Sequence, residues 1–150
     1  MSTPHLPCLR FGEAYRSFNE SDVKDYRDGS TKASLSQVNA GIIRRDLMHI
    51  GKARDALARF STRELVDISA KAGELFLNDE LPLGESSTQS SQEYLETLSS
   101  TSGLPHVMVK RNMDKIHYAL THLELILNGL TRGIDFSILD SGHGEQAGAP

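Results

Sequence analysis

Seven apolar residues, Val109, Met113, Ile116, Leu120, Leu123, Leu127 and Leu130, follow one another at spacings of 4, 3, 4, 3, 4 and 3. That rhythm puts all seven on one stripe of an α-helix predicted to start near Pro105 and to end at Gly129 and Gly133. At 1.5 Å per residue the helix is roughly 35 Å long, about the width of a small domain. Leu125 and Ile126 widen the apolar face, and Tyr118, Ala119, Thr121 and Asn128 stand where a coiled coil wants charged flanks. Burial in a globular core therefore suits the stripe better than a two-stranded coil. Shorter helices upstream supply part of the cover, and nothing after Leu130 has a pattern able to complete it.

Upstream, Ile43, Leu47, Ile50, Leu57 and Phe60 share a face, with Ala53 and Ala56 allowing close approach, so Asn39–Phe60 is predicted to form one helix. Ser61-Thr62-Arg63-Glu64 spells a capping box. The helix it opens is predicted to run to about Asn78 with Leu65, Ile68, Ala72, Leu75 and Phe76 inward. Pro82 and Gly84 follow it, and the Ser/Thr-rich stretch Glu85–Ser91 reads as an exposed loop. Ser90–Glu93 repeats the box and opens a short helix carrying Tyr94, Leu95 and Leu98, broken by Gly103-Leu104-Pro105. Before all of these, Val23–Arg27 and Ala33–Val38 flank Asp28-Gly29, which predicts a hairpin with a tight turn. Pro4 and Pro7 make Met1–Glu20 an extended arm that Leu6, Leu9, Phe11 and Phe18 could dock on a surface. Ile134–Leu139 suits a short strand or a docked loop, and Ser141–Pro150 holds no core former. The organisation expected is an arm (1–20), a hairpin plus four-helix segment (21–140) and a Gly-rich tail or truncated linker (141–150). A lone ribbon is marginal in water, so the hairpin must lean on the helices or on another subunit.

Composition narrows the function classes. The 150 residues carry a net charge of −4, and about a quarter of them are Leu, Ile, Val or Phe, above the level of a disordered chain. Basic pairs such as Arg44-Arg45 and Lys110-Arg111 stand beside acids (Asp46, Asp114), which is the pattern of a solvated face; no basic stripe for nucleic acid exists. Cys8 is the only cysteine, so an intrachain disulfide and a Cys-based metal site are excluded. No stretch approaches the roughly 20 apolar residues of a membrane span, and Met1–Arg10 is no signal peptide. The expected location is the cytoplasm.

Candidate chemistry is sparse. Asp114 and His117, three apart on one helix face, could share a metal, but His122 lies about 140° around and cannot complete the set. Cys8 has no neighbouring helix N-terminus or basic cluster to stabilise a thiolate. Glu64, Glu74 and Glu93 are placed by helix capping or solvation, with no two fixed as an acid/base pair. Gly142-His143-Gly144 with Gly148 lacks the Gly-Lys-Ser/Thr ending and the strand–helix context of a phosphate loop.

The order of elements is more telling. A ribbon with an Arg27-Asp28-Gly29 turn leads through Ser36-Gln37-Val38-Asn39-Ala40 into Lys52-Ala53-Arg54-Asp55-Ala56-Leu57. The next helix opens with Ser61-Thr62-Arg63-Glu64-Leu65 and contains Ala70-Lys71-Ala72-Gly73-Glu74-Leu75-Phe76. Over residues 20–140 this resembles the N-terminal segment of the aldehyde dehydrogenase superfamily, and Ser102–Met113 looks closer to a divergent, acyl-reductase-like branch. The resemblance implies a mainly α segment with a short β-hairpin, the helical N-terminal part of an α/β fold cut before its nucleotide-binding sheet. The family's cysteine nucleophile, glutamate base and oxyanion asparagine lie further along its chains. No catalytic, cofactor-binding or metal residue is therefore assigned here, and NAD or NADP belongs to the full-length parent. The expected partner is the missing C-terminal α/β region or a second copy. The competing expectation is a helical interaction module that self-associates along Val109–Leu130.

Overall fold

The computed structural model describes residues 3–84 and 87–141. In chain order these hold β1 (His5–Leu6), β2 (Cys8–Arg10), β3 (Glu13–Tyr15), β4 (Glu20–Lys24), β5 (Thr31–Ser36), α1 (Ala40–Leu47) and α2 (Ile50–Leu57). Then come α3 (Thr62–Asn78), β6 (Leu81–Leu83), β7 (Ser87–Gln89), α4 (Ser91–Ser102), α5 (His106–Thr121), α6 (Leu123–Thr131) and α7 (Phe136–Ser141). The architecture is mainly α, with 55% of it helical and three small sheets.

The predicted hairpin exists as β4 and β5, antiparallel with Ser21 opposite Leu35 and Val23 opposite Ala33. Its turn is wider than Asp28-Gly29 alone. Asp25 donates its backbone N–H to Ser30 O at 2.9 Å, and Gly29, at φ 72°, donates to Asp25 O. The ribbon gains a third strand from an unexpected source. β1 pairs in parallel with β5, His5 beside Ser34 and Leu6 beside Leu35, so the order is β1-β5-β4. The arm is thus woven into the sheet, and β2 and β3 form a hairpin of their own through Phe11 (φ 52°) and Gly12 (φ 86°).

Both capping boxes form. Ser61 accepts from Glu64 N while Glu64 accepts from Ser61 N, and Ser90 and Glu93 do the same, which satisfies N–H groups that a helix start leaves open. α3 keeps its predicted span but turns a different side inward. Val66 and Gly73 are the buried residues, whereas Ile68 is 52% exposed and Leu75 is exposed too. The reason is α5: it packs so closely that a Cβ on Gly73 would lie 3.0 Å from Leu120 Cβ, and only the glycine side admits that approach. Phe76 then meets Tyr94 of α4 edge to face at 5.4 Å.

Two predicted helices are split. Asn39–Phe60 breaks at Met48-His49, where His49 and then Lys52 turn to i→i−3 bonds, on Asp46 O and His49 O. No residue of α1 or α2 is buried, so no packing holds the two pieces in line. The long helix breaks at His122. Thr121 Oγ1 donates to His117 O at 2.8 Å and His122 Nδ1 sits 3.0 Å from Tyr118 O, so side chains compete for helix carbonyls and bend the rod. The four-helix segment is therefore seven helices among the described residues.

Other expectations are revised. Ile134–Leu139 is neither strand nor loop: Phe136 begins α7, and Asp140 receives Thr62 N–H at 2.7 Å, docking α7 on the start of α3. The loop expected at Glu85–Ser91 includes β7, antiparallel to β6; residues 85 and 86 lie outside the described residues. So do residues 142–150 of the predicted tail. Along the apolar stripe Val109 is 0% and Met113 4% exposed, the middle residues are half-buried, and Leu130 is 76% exposed. The stripe is core over its first half and open at its end.

Candidate functional site

α1 and α2 begin as any amphipathic helices would. Asn39 caps α1 by accepting from Ile42 N at 3.0 Å, and Arg44 and Arg45 fall in its last turn, where positive charge suits the helix dipole. Their shared apolar face is complete in sequence and bare in space. Ile43, Leu47, Ile50, Leu57 and Phe60 are between 47% and 58% exposed. Phe11, at the tip of the β2–β3 hairpin, meets Ile43, Leu47, Ile50 and Ala53 around an apolar groove of about 310 Å³. Arg10 fixes that hairpin there: it grips Asp46 with two N–H donors, Nε at 2.6 Å from Oδ2, and lies 4.8 Å over the Tyr15 ring. The guanidinium holds the Asp46 carboxyl below the usual carboxylate range. A second bare stripe, Ile68, Ala72 and Leu75, runs along the outer side of α3. Apolar side chains left bare in this way make these faces candidates for docking.

The residues singled out for chemistry are dispersed. Asp114 pairs with Lys110 at 3.3 Å, while His117 Nε2 meets Glu74 Oε1 at 2.8 Å on the neighbouring helix, so the two do not face a common ion. Among the described residues no three His, Cys, Asp or Glu side chains gather as a metal group. Cys8 donates its thiol to Ser36 O at 3.1 Å. Glu64 and Glu93 are drawn below the usual carboxylate range by the backbone N–H, then the hydroxyl, of their capping serines.

One cluster escaped the sequence reading. His5 Nδ1 lies 2.8 Å from Ser34 Oγ and Nε2 lies 3.0 Å from Ser36 Oγ, with Glu20 Oε2 3.7 Å from Nδ1. Acid, imidazole and hydroxyl stand in the order of a hydrolytic triad. However, Ser36 is 6% exposed and its Oγ already accepts the Ser17 N–H at 3.0 Å, which leaves no approach for a substrate carbonyl. The cluster ties β1 to β5. No local motif could have revealed it, because His5 lies 29 and 31 residues from its two serine partners.

A cleft of about 430 Å³ opens between β1, β5, the β6–β7 hairpin and α4, lined by Leu6, Ala33, Leu83, Tyr94 and Leu98. Its cation, Lys32, is committed to the buried Asp25 carboxylate at 3.4 Å. Glu93 also lines it, and its carboxylate is held by the Ser90 N–H and hydroxyl, so both charges at the cleft are engaged within the protein. The bare faces of α1, α2 and α3 are the better candidate.

Comparison with protein-family models, with curated proteins and with solved structures finds no match to this chain. Among the described residues the fold is mainly α with three small sheets. No helix among the described residues is long and apolar enough to cross a membrane.

Proposed function

We propose that this chain is the helical N-terminal segment of a cytoplasmic NAD(P)-dependent aldehyde or acyl-group oxidoreductase, a docking element that carries none of the catalytic residues. The observation that carries the reading is the bare apolar face of α1 and α2, which a larger α/β partner region would cover. The element order adds support: a ribbon turning at Arg27-Asp28-Gly29, the Lys52–Leu57 helix, and the capped helix holding Ala70–Phe76. In the complete enzyme a thiolate would form a thiohemiacetal or thioester, with hydride passing to or from nicotinamide. Both reacting groups would lie outside this segment.

The test has two halves. Alone, the chain should bind a hydrophobic dye strongly and melt broadly. Joined to the polypeptide encoded downstream of it, dye binding should fall and NAD(P)-linked turnover of an aldehyde or thioester should appear. A sharp, cooperative, dye-free unfolding of the isolated monomer would end the proposal, as would a downstream frame without a glycine-rich nucleotide loop and a later cysteine.

A further inference from the structure

Asp46 follows Arg45 in the chain, yet in the fold it belongs to another cation. Arg10 reaches it from the β2–β3 hairpin through Nε and Nη2 and so takes up both carboxylate oxygens. Among the described residues neither Arg45 nor Lys52 enters an ion pair, whereas Arg54 lies 3.8 Å from Asp55. The unanswered charge is gathered in one place. Arg45, His49 and Lys52 follow at spacings of 4 and 3, and together with Arg10, Phe11 and Asp46 they line a cavity of about 430 Å³. The Asp46 carboxyl is held low by the Arg10 hydrogen bonds first, and Arg45 and His49 are close enough to add to that effect.

This cavity is separate from the apolar face of α1 and α2. Ile43, Leu47, Ile50 and Leu57 do not line it, although Phe11 borders both. At about 100° per residue, Arg45 stands roughly 160° around the helix from Leu47, and Lys52 the same angle from Ile50.

We propose that the cavity binds a small phosphate monoester whose organic part is a flat ring, whatever covers the apolar face. A monoester carries close to two negative charges at about pH 7, which the guanidinium of Arg45 and the ammonium of Lys52 balance. A single carboxylate would leave one of these cations unanswered. Arg45 offers a fork of N–H donors to two phosphate oxygens, Lys52 a point charge, and His49 a ring N–H. Phe11, 52% exposed at the hairpin tip, supplies a face on which a ring stacks. The volume lies within the roughly 300–1,000 Å³ of small-molecule sites and exceeds what an inorganic anion fills.

The probe is phenyl phosphate, titrated into the 150-residue chain and followed by amide chemical shifts, with inorganic phosphate as its ringless counterpart. The wild-type chain should bind phenyl phosphate with a Kd on the order of 1 mM or below, and inorganic phosphate more weakly. Arg45→Gln and Lys52→Gln should each weaken both ligands about tenfold. Phe11→Leu keeps an apolar tip; it should bring phenyl phosphate down to the level of inorganic phosphate and leave the latter unchanged. Arg44→Gln removes the same charge from the same helix outside the cavity, and should alter neither. All of these side chains are exposed, so the dispersion of the spectrum should persist in every variant.

Absence of a saturable shift up to about 10 mM phenyl phosphate overturns the proposal. So does a loss in Arg44→Gln equal to that in Arg45→Gln, which would mean diffuse charge rather than a site. Equal affinity for the two ligands overturns it as well, because the ring would then have no seat.

Discussion

Gly84 is the sharpest place to test how the layers are joined. It follows β6 at φ +67°, and a Cβ there would lie 2.1 Å from the His5 carbonyl oxygen. Gly103, the C-cap of α4, has a similar φ of +76° with nothing within 4 Å. Replacing either by alanine incurs the left-handed penalty of an L-residue, about 1–2 kcal/mol. Only Gly84→Ala also drives a methyl into backbone that cannot swing aside, an overpacking cost of about 1–3 kcal/mol. The expected losses are therefore about 1–2 kcal/mol for Gly103→Ala and about 2–5 kcal/mol for Gly84→Ala. Urea unfolding followed by circular dichroism at 222 nm, roughly the helix band, reads both as midpoint shifts. Equal losses for the two variants would mean that the β6–β7 hairpin does not rest on the arm at His5, and the joining of sheet to helices described here would be wrong.

Other expectations follow from single residues. Val109→Ala removes two buried methyl groups and should cost about 2 kcal/mol by thermal unfolding, while Leu130→Ala, on the open end of the same stripe, should stay within about 0.5 kcal/mol. Ser61→Ala unmakes the capping box of α3 and should cost about 1 kcal/mol in the same assay, with Glu64 left without its hydroxyl partner. Asp25 is held well below the usual carboxylate range, chiefly by hydrogen bonds from the Arg27 side chain and then its backbone. A depressed carboxylate stabilises the fold fully above about pH 4 and loses that contribution as pH falls further, because the unfolded chain takes up its proton first. Asp25→Asn should therefore flatten the acid side of the stability profile, and an unchanged slope between pH 5 and 3, on the order of one unit either side of that value, would refute the assignment.

The elements most legible in the sequence were those specified by neighbours in the chain. Ser61 with Glu64 and Ser90 with Glu93 announce their helices because cap and acceptor lie three residues apart. Asp28-Gly29 located the ribbon, although the turn is wider than that pair and is closed by Asp25 with both Gly29 and Ser30. Illegible features depend on distant chain or on small angular changes. A 3.6-residue rhythm passes undisturbed through Met48-His49 and through His122, because a kink moves the axis without disturbing the spacing of apolar letters. The inward side of α3 was misread since Leu65, Ile68 and Leu75 are the larger apolar residues; α5 chose the side where Gly73 lets it come close. Of the candidate site, the stripe Ile43–Phe60 was fully visible as a pattern. Its exposure was not, because periodicity reports which residues share a side and says nothing of what lies opposite.

The parallel seating of β1 has a consequence for biosynthesis. His5 and Leu6 leave the ribosome well before Ser34 and Leu35, their register partners. At translation rates of about 5–20 residues per second, that interval is about 1.5–6 s. Throughout it the first strand must wait unpaired while the β2–β3 hairpin, local in the chain, can already close. Nascent-chain handling factors that shield extended apolar peptides would meet β1 during that interval, and slowing translation across β5 would lengthen their opportunity.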